Sequence, residues 1–267
     1  MGMIFSSGFT LDSVSVSLPY LTRSDFNLKG SLIRLALGKE RKIRRVLALD
    51  NVSVSFGLGE RVGIVGRNGA GKTTLLRVLA GHIPVDRGFI ARPKNVRALI
   101  GDAGLGIDLE ESGLENLARL LLINGTPRSD VRDVIRKSLE LLDLGEALWR
   151  PCYTYSSGML TRIRVVSLLQ VRPDALLLDE LLGQADSTFN ARVRVHLEAV
   201  FDKCPIRILA SHDENLIRRM CSRVLYFDAG RLVMDGGTDE VLARYAFERV
   251  SQHPEIYPDS EIKNFHN

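Results

Sequence analysis

From residue 11 to 20 the chain reads LDSVSVSLPY, with apolar and polar side chains in alternation, so a half-exposed strand is expected there. Residues 21–45 are polar and basic, are broken by Gly30 and Gly38, and suit a loop or short helix between strands. A second strand region, VLALDNVSVSF, fills 46–56, and residues 57–60 suit a turn. Arg61–Gly66 (RVGIVG) is a short apolar strand, and from Lys72 to Gly81 the spacing becomes helical. Between about Ser112 and Gln170, apolar residues fall three and four apart in GLENLARLLLINGT, RSDVRDVIRKSLELLDLGEAL and SSGMLTRIRVVSLLQV, as on amphipathic helices. Strand-like segments return at Ala175–Asp179, Ile206–Ala210 and Val224–Phe227, each near a helix. The pattern predicts a parallel α/β core interrupted by a helical insertion. No internal repeat or low-complexity tract disturbs it.

Composition narrows the class. The 267 residues are 45% hydrophobic and 25% charged, ordinary globular values, and long enough for a sizeable core. No uncharged apolar run approaches the roughly 18 residues that a membrane-spanning helix needs. The first residues, MGMIFSSGFTLDSV, lack a basic stretch followed by a clean apolar one, so no secretion signal is expected. Cys152, Cys204 and Cys221 are scattered and odd in number, which fits free thiols in a reducing compartment. Any role at a membrane must then come through a partner. The net charge of +4 is uneven: residues 1–50 carry eight Lys/Arg against four Asp/Glu, densest at Gly38–Val46. That segment is either a solvated basic face or a contact for anionic lipid head groups or an acidic partner. No aromatic residues interleave with its charges as a stacking surface requires, so nucleic acid is not an expected partner.

The sharpest chemistry lies between the Arg61–Gly66 strand and the helix after it. Gly66-Arg67-Asn68-Gly69-Ala70-Gly71-Lys72-Thr73 fits G-x-x-x-x-G-K-[ST] at every fixed position. Glycines let the backbone wrap an anion with no Cβ in the way, consecutive N–H groups point inward, and the helix adds its positive end. Residues 66–74, through Thr74, are expected to cradle ATP. Lys72 would reach the β- and γ-phosphates and the Thr73 hydroxyl would ligate Mg²⁺. About 110 residues downstream, the apolar run Ala175–Leu178 ends on Asp179 and Glu180. A buried strand ending on carboxylates presents them at its C-terminal edge, where open α/β sheets bind ligands. Asp179 suits Mg²⁺ held through water, and Glu180 suits polarising an attacking water.

With these two motifs in place, the chain resembles the ABC transporter ATPase family. Tyr155-Ser156-Ser157-Gly158-Met159 stands in the place of the family's LSGGQ signature, and LTRIRVVSLLQVRPDALLLDE resembles the helix and strand that follow it. Asp186 falls at the D-loop, and His212, in Ala210-Ser-His-Asp213, falls at the switch histidine. The likeness runs from about residue 47 to 243 and takes in the strand at 11–20, whose Tyr20 would stack on adenine if it is not simply packing. It implies a P-loop NTPase core, a helical signature subdomain over about 110–170 and an N-terminal antiparallel β part. The ATPase domain would then span 1–247, with a tail at 248–267. The family's ATPases close as a head-to-tail pair, so ATP on Gly66–Thr74 of one copy would be covered by Ser156, Ser157 and Gly158 of the other. Three positions depart from the pattern. Asp102 stands where the Q-loop glutamine is expected and would face the Mg²⁺ shell; Ser157 replaces the first signature glycine; Leu181 replaces the proline after the catalytic glutamate.

The form Tyr-Ser-Ser-Gly-Met, with Gly101–Asn116 (GDAGLGIDLEESGLEN), resembles the branch that exports O-antigen, capsule or teichoic-acid polymers. Such members work at the cytoplasmic face of the membrane, bound to a membrane-spanning permease through which the polysaccharide passes. Only a short polar stretch follows Tyr245, so the additional C-terminal carbohydrate-binding domain of some members is not expected. A cassette for a lipid or small solute, or a soluble ATPase of the same type, remains the alternative. His82, His196, Trp149 and Met220 have no partner motif and read as structural.

Overall fold

The computed structural model describes residues 4–5, 7–20, 44–100, 106–169, 172–179 and 187–251. Strands β1 (Ile4–Phe5), β2 (Phe9–Tyr20) and β3 (Arg44–Phe56) come first. Strand β4 (Arg61–Val65) leads into helix α1 (Lys72–Leu79), followed by β5 (Arg87–Arg92) and β6 (Val96–Leu99). The expected insertion is three helices, α2 (Gly113–Ile123), α3 (Val131–Leu142) and α4 (Ser157–Leu168). The rest alternates: β7 (Ala175–Asp179), α5 (Ser187–Lys203), β8 (Ile206–Ala210), α6 (Glu214–Met220), β9 (Arg223–Asp228), β10 (Arg231–Gly237) and α7 (Thr238–Ser251).

Two sheets result. The smaller has the order β1-β5-β2-β3, and its β2–β3 pairing is antiparallel, from Phe9 opposite Phe56 to Tyr20 opposite Arg44. Its inward residues, among them Phe9, Leu11, Val14, Val16, Val52 and Phe56, are buried while their neighbours face solvent, so the alternation read from the sequence is a one-sided sheet. The larger sheet has the order β10-β9-β4-β8-β7-β6, parallel throughout except for β10 on the edge. Its inner strands are covered on both faces and read as mainly apolar runs, with Arg207 the polar residue inside β8. Along β7, Leu177 joins the core shared with α1 and the small sheet, while Leu176 and Leu178 join the core under α5, α6 and α7. Strands β8 and β9 divide in the same way.

A third core holds the helical insertion together through Leu117, Leu121, Leu148, Leu160 and Ile163. Helix α2 starts at a capping box: the Ser112 hydroxyl accepts from Glu115 N–H, and the Glu115 carboxylate accepts from Ser112 N–H at 2.8 Å. Asn116, fully buried, binds the loop before α2, accepting from Asp108 N–H and donating to Asp108 O, both at 2.8 Å.

Residues 128–148, read as one amphipathic stretch, divide into α3 and the 3-10 segment Gly145–Trp149, because Asp143 takes a left-handed backbone that closes α3. Strands β5, β6 and β10 and helices α5, α6 and α7 add to what periodicity showed. Helix α7 carries through residue 247 to Ser251. No helix among the described residues is long and apolar enough to cross a membrane.

Candidate nucleotide site

Sheet register brings the chemistry to one edge. Ile64 on β4 and Asp179 on β7 both pair with Ala210 on β8, the strand between them. The loop after β4, the carboxylate closing β7 and His212 just beyond β8 therefore stand side by side at the C-terminal edge of the parallel sheet. This is the position that the open α/β rule assigns to ligands.

Residues 66–71 make the loop, and two of its glycines are irreplaceable for steric reasons. Gly66 has φ +151°, and a Cβ there would lie 2.2 Å from the Phe227 carbonyl oxygen on β9. Gly71 has φ +105°, at the N-cap of α1, and its Cβ would lie 2.7 Å from the Ala48 carbonyl oxygen on β3. Both neighbours are backbone and cannot swing aside. Gly230, in the β9–β10 turn, closes the third side: its N–H donates to Ala70 O at 3.0 Å, and its carbonyl accepts from Asp50 N–H at 2.9 Å. Arg67, Asn68 and Gly69 remain exposed at the tip, and Thr74 is half-buried in the first turn of α1.

Lys72 is only 7% exposed, an unusual place for an ammonium group. Its Nζ donates to Gly66 O at 2.7 Å and to Arg67 O at 3.0 Å, so the charge is held across the mouth of the loop. One residue on, the Thr73 hydroxyl donates to an Asp179 carboxylate oxygen at 2.7 Å, across a sequence separation of 106. Two hard oxygens at that spacing, one anionic, are a donor set for Mg²⁺, which takes few protein ligands and keeps its remaining positions for water and phosphate. The residues present fit the ion.

His212 is exposed and sits between two anchors. Ser211 is buried and its N–H reaches Ile64 O at 3.4 Å; Asp213 caps α6, accepting from Asn215 N–H at 3.0 Å and Leu216 N–H at 3.1 Å. Ser156, Ser157 and Gly158 open α4, where the Ser156 hydroxyl accepts from Met159 N–H at 3.3 Å and both serines face solvent. Tyr155 anchors this corner by donating its hydroxyl to Ala147 O at 2.5 Å. Burial pushes its phenol above the ordinary tyrosine range. Tyr20 ends β2, and β2–β3 pairing sets Ser17 opposite Leu47, the neighbour of Ala48 that touches Gly71. Three residues of strand, about 10 Å, therefore separate Tyr20 from the level of the loop. Glu180, Asp186 and Asp102, and most of the basic segment at 38–46, lie outside the described residues. Sequence reasoning did not find Gly230, Ser211, Asp213 or the Tyr155 anchor. Only Gly230, in the Asp-Ala-Gly turn between two strands, leaves a local signal.

The family model for the ABC transporter matches residues 49–183. The chain belongs to the ABC transporter family, and its reaction is ATP hydrolysis. It is 35% identical over 82% of its length to the O-antigen export system ATP-binding protein RfbE of Yersinia enterocolitica, covering 93% of that protein. It is 30% identical over 94% of its length to the teichoic acids export ATP-binding protein TagH of Staphylococcus epidermidis, covering 96% of it. Among solved structures, the dimeric post-hydrolysis state of the ATP-binding cassette MJ0796 matches with a TM-score of 0.65, 17% identity and coverage of 86% of this chain and 98% of that one. That last likeness concerns the fold alone.

Proposed function

We propose that this ATPase is the motor subunit of an exporter that moves a polysaccharide of O-antigen, capsule or teichoic-acid type across the cytoplasmic membrane. The observation that carries the site reading is the Thr73–Asp179 hydrogen bond of 2.7 Å beside a buried, loop-bound Lys72. The similarity to RfbE and TagH supports the cargo class.

In this reading the N–H groups of residues 66–74 hold the ATP phosphates, and Lys72 leaves its loop carbonyls to balance the β- and γ-oxygens. Thr73 and Asp179 would hold Mg²⁺, which would supply positive charge against the phosphates. Glu180, next in the chain after Asp179, takes the proton of the attacking water, and His212 faces the γ-phosphate from the end of β8. Ser156, Ser157 and Gly158 of a second copy supply hydroxyl and N–H donors across a head-to-tail interface, with Asp186 at that seam. Tyr20 stacks on the adenine. Asp102 links the Mg²⁺ shell to the helical insertion, which meets a membrane-spanning permease at the cytoplasmic face. The ATPase domain covers 1–247, ahead of a tail at 248–267.

Deleting the gene should remove polymer from the cell surface. Wild type should restore it, and Lys72→Ala should fail to, since the variant loses the cation that balances the phosphates. Normal surface polymer in the Lys72→Ala strain, or in the deletion, would refute the assignment.

A further inference from the structure

The opposite edge of the parallel sheet carries a cavity of about 430 Å³ that the nucleotide reading does not use. It opens where β6 begins, between Asn95 and Arg97 on the sheet side and Asn124, Thr126 and Asp130 at the α2–α3 turn, with Arg172 on its wall. Val96 pairs with Ala175, the first residue of β7, whereas Asp179 is the last. Four steps of parallel strand, about 13 Å, therefore separate this cavity from the nucleotide edge.

Its charge is unbalanced. Arg97 is partly buried, donating to Val96 O at 3.0 Å and, at the long distance of 3.4 Å, to Ile123 O at the end of α2. Its Nε is buried with no hydrogen-bond partner, and desolvation lowers its pKa. Among the described residues, no carboxylate lies within ion-pair distance of Arg97 or Arg172. Among the described residues of the wall Asp130 is the one carboxylate, and it accepts from the Ser129 hydroxyl at 2.7 Å. Thr126 is 9% exposed, and its hydroxyl has no partner either. Buried donors without acceptors are costly, and a structure tolerates them where a ligand supplies the acceptor. A contact between Arg97 and the α2 C-terminus explains part of the arrangement, but it leaves the buried Arg97 Nε and Thr126 hydroxyl without acceptors, beside the exposed Arg172.

We propose that this cavity binds a compact oxyanion, a phosphate or the phosphomonoester of a small sugar, between Arg97 and Arg172. Planar guanidinium forks match phosphate oxygens, and the Thr126 hydroxyl adds a neutral donor beside them. The volume lies within the roughly 300–1,000 Å³ of small-molecule sites. An anion held there bridges strand β6 and the α2–α3 turn, so it fastens the helical insertion to the sheet at a point remote from ATP.

Calorimetry on the full chain saturated with Mg-ADP, which fills the nucleotide loop, tests this with inorganic phosphate and glucose 1-phosphate as probes. Saturable binding of either probe is expected. Arg172→Gln should weaken it about tenfold, the scale of one lost charged hydrogen bond, while leaving basal ATPase unchanged because its exposed side chain holds nothing else in place. Thr126→Val should weaken binding and raise the melting temperature of the ligand-free chain, since it deletes an unpartnered hydroxyl. The proposal is overturned if neither probe binds at millimolar concentration with ADP in place. It is equally overturned if Arg172→Gln and Thr126→Val bind as wild type does.

Discussion

At the scale of single residues, the site is built from groups that would destabilise the fold anywhere else. Lys72 loses most of its hydration and recovers two carbonyl acceptors, a partial compensation that phosphate oxygens improve on. Thr73 and Asp179 hold each other through one short hydrogen bond, so neither needs to search for the other when Mg²⁺ arrives. Asp179→Asn keeps the size and the hydrogen bond but removes the anionic oxygen. The variant should bind ATP comparably in the absence of Mg²⁺ and lose the gain in affinity that Mg²⁺ gives wild type. Its hydrolysis should fall by roughly 10²-fold or more, on the scale of lost electrostatic stabilisation. A magnesium titration of ATP affinity and steady-state ATPase checks both, and an unchanged Mg²⁺ dependence would remove Asp179 from the metal site.

At the scale of elements, the signature corner depends on a long-range fit rather than on its own letters. Tyr155 places its hydroxyl against Ala147 O, and a Cβ on Gly113 would lie 2.3 Å from that hydroxyl, so the start of α2 leaves room for the ring. Tyr155→Phe keeps the half-buried ring but removes one of two hydrogen bonds to Ala147 O, the Arg150 N–H at 2.9 Å remaining, and should cost about 1 kcal/mol of stability. It should also raise the ATP concentration needed for half-maximal hydrolysis, because Ser156 begins one residue later. Thermal melts and ATPase titrations read the two effects separately. The same corner shows what a sequence conceals. The loop glycines, Lys72 and Thr73 stand in one fixed local spacing, Asp179 closes an apolar run, and β4, β7 and β8 are mainly apolar, so they were readable. Strands β5 and β10 lie at or near sheet edges; β5 begins and ends on arginine and shows no alternation of burial, and along β10 no residue is fully buried, so neither carries a strong apolar period. Helix α6 is seven residues, two turns, too few to establish a 3.6 repeat. The Gly113–Tyr155 fit and the Gly230 contact with Ala70 join residues far apart in sequence, and no local pattern carries them.

At the scale of the whole molecule, the three cores make a rigid sheet edge on one side and a separately packed helical insertion on the other, with the loop and the signature on different bodies. A single copy offers Ser156 and Ser157 to solvent, which leaves them open to the γ-phosphate of a second copy in the proposed head-to-tail pair. ATP then favours the closed pair only through contacts it makes there and not in the open state. Those contacts persist as long as the γ-phosphate does, so stopping hydrolysis should trap closure. Glu180→Gln replaces the proposed proton acceptor with an amide of the same size and leaves Lys72, Thr73 and the signature untouched. Hydrolysis should slow by about 10²–10⁴-fold, the range for loss of a general base. Gel filtration in Mg-ATP should show the variant as a dimer and wild type mainly as a monomer, with both monomeric in Mg-ADP. A variant that stays monomeric while saturated with ATP would break the link between the γ-phosphate and closure. One that hydrolyses at the wild-type rate would show that another group takes the proton.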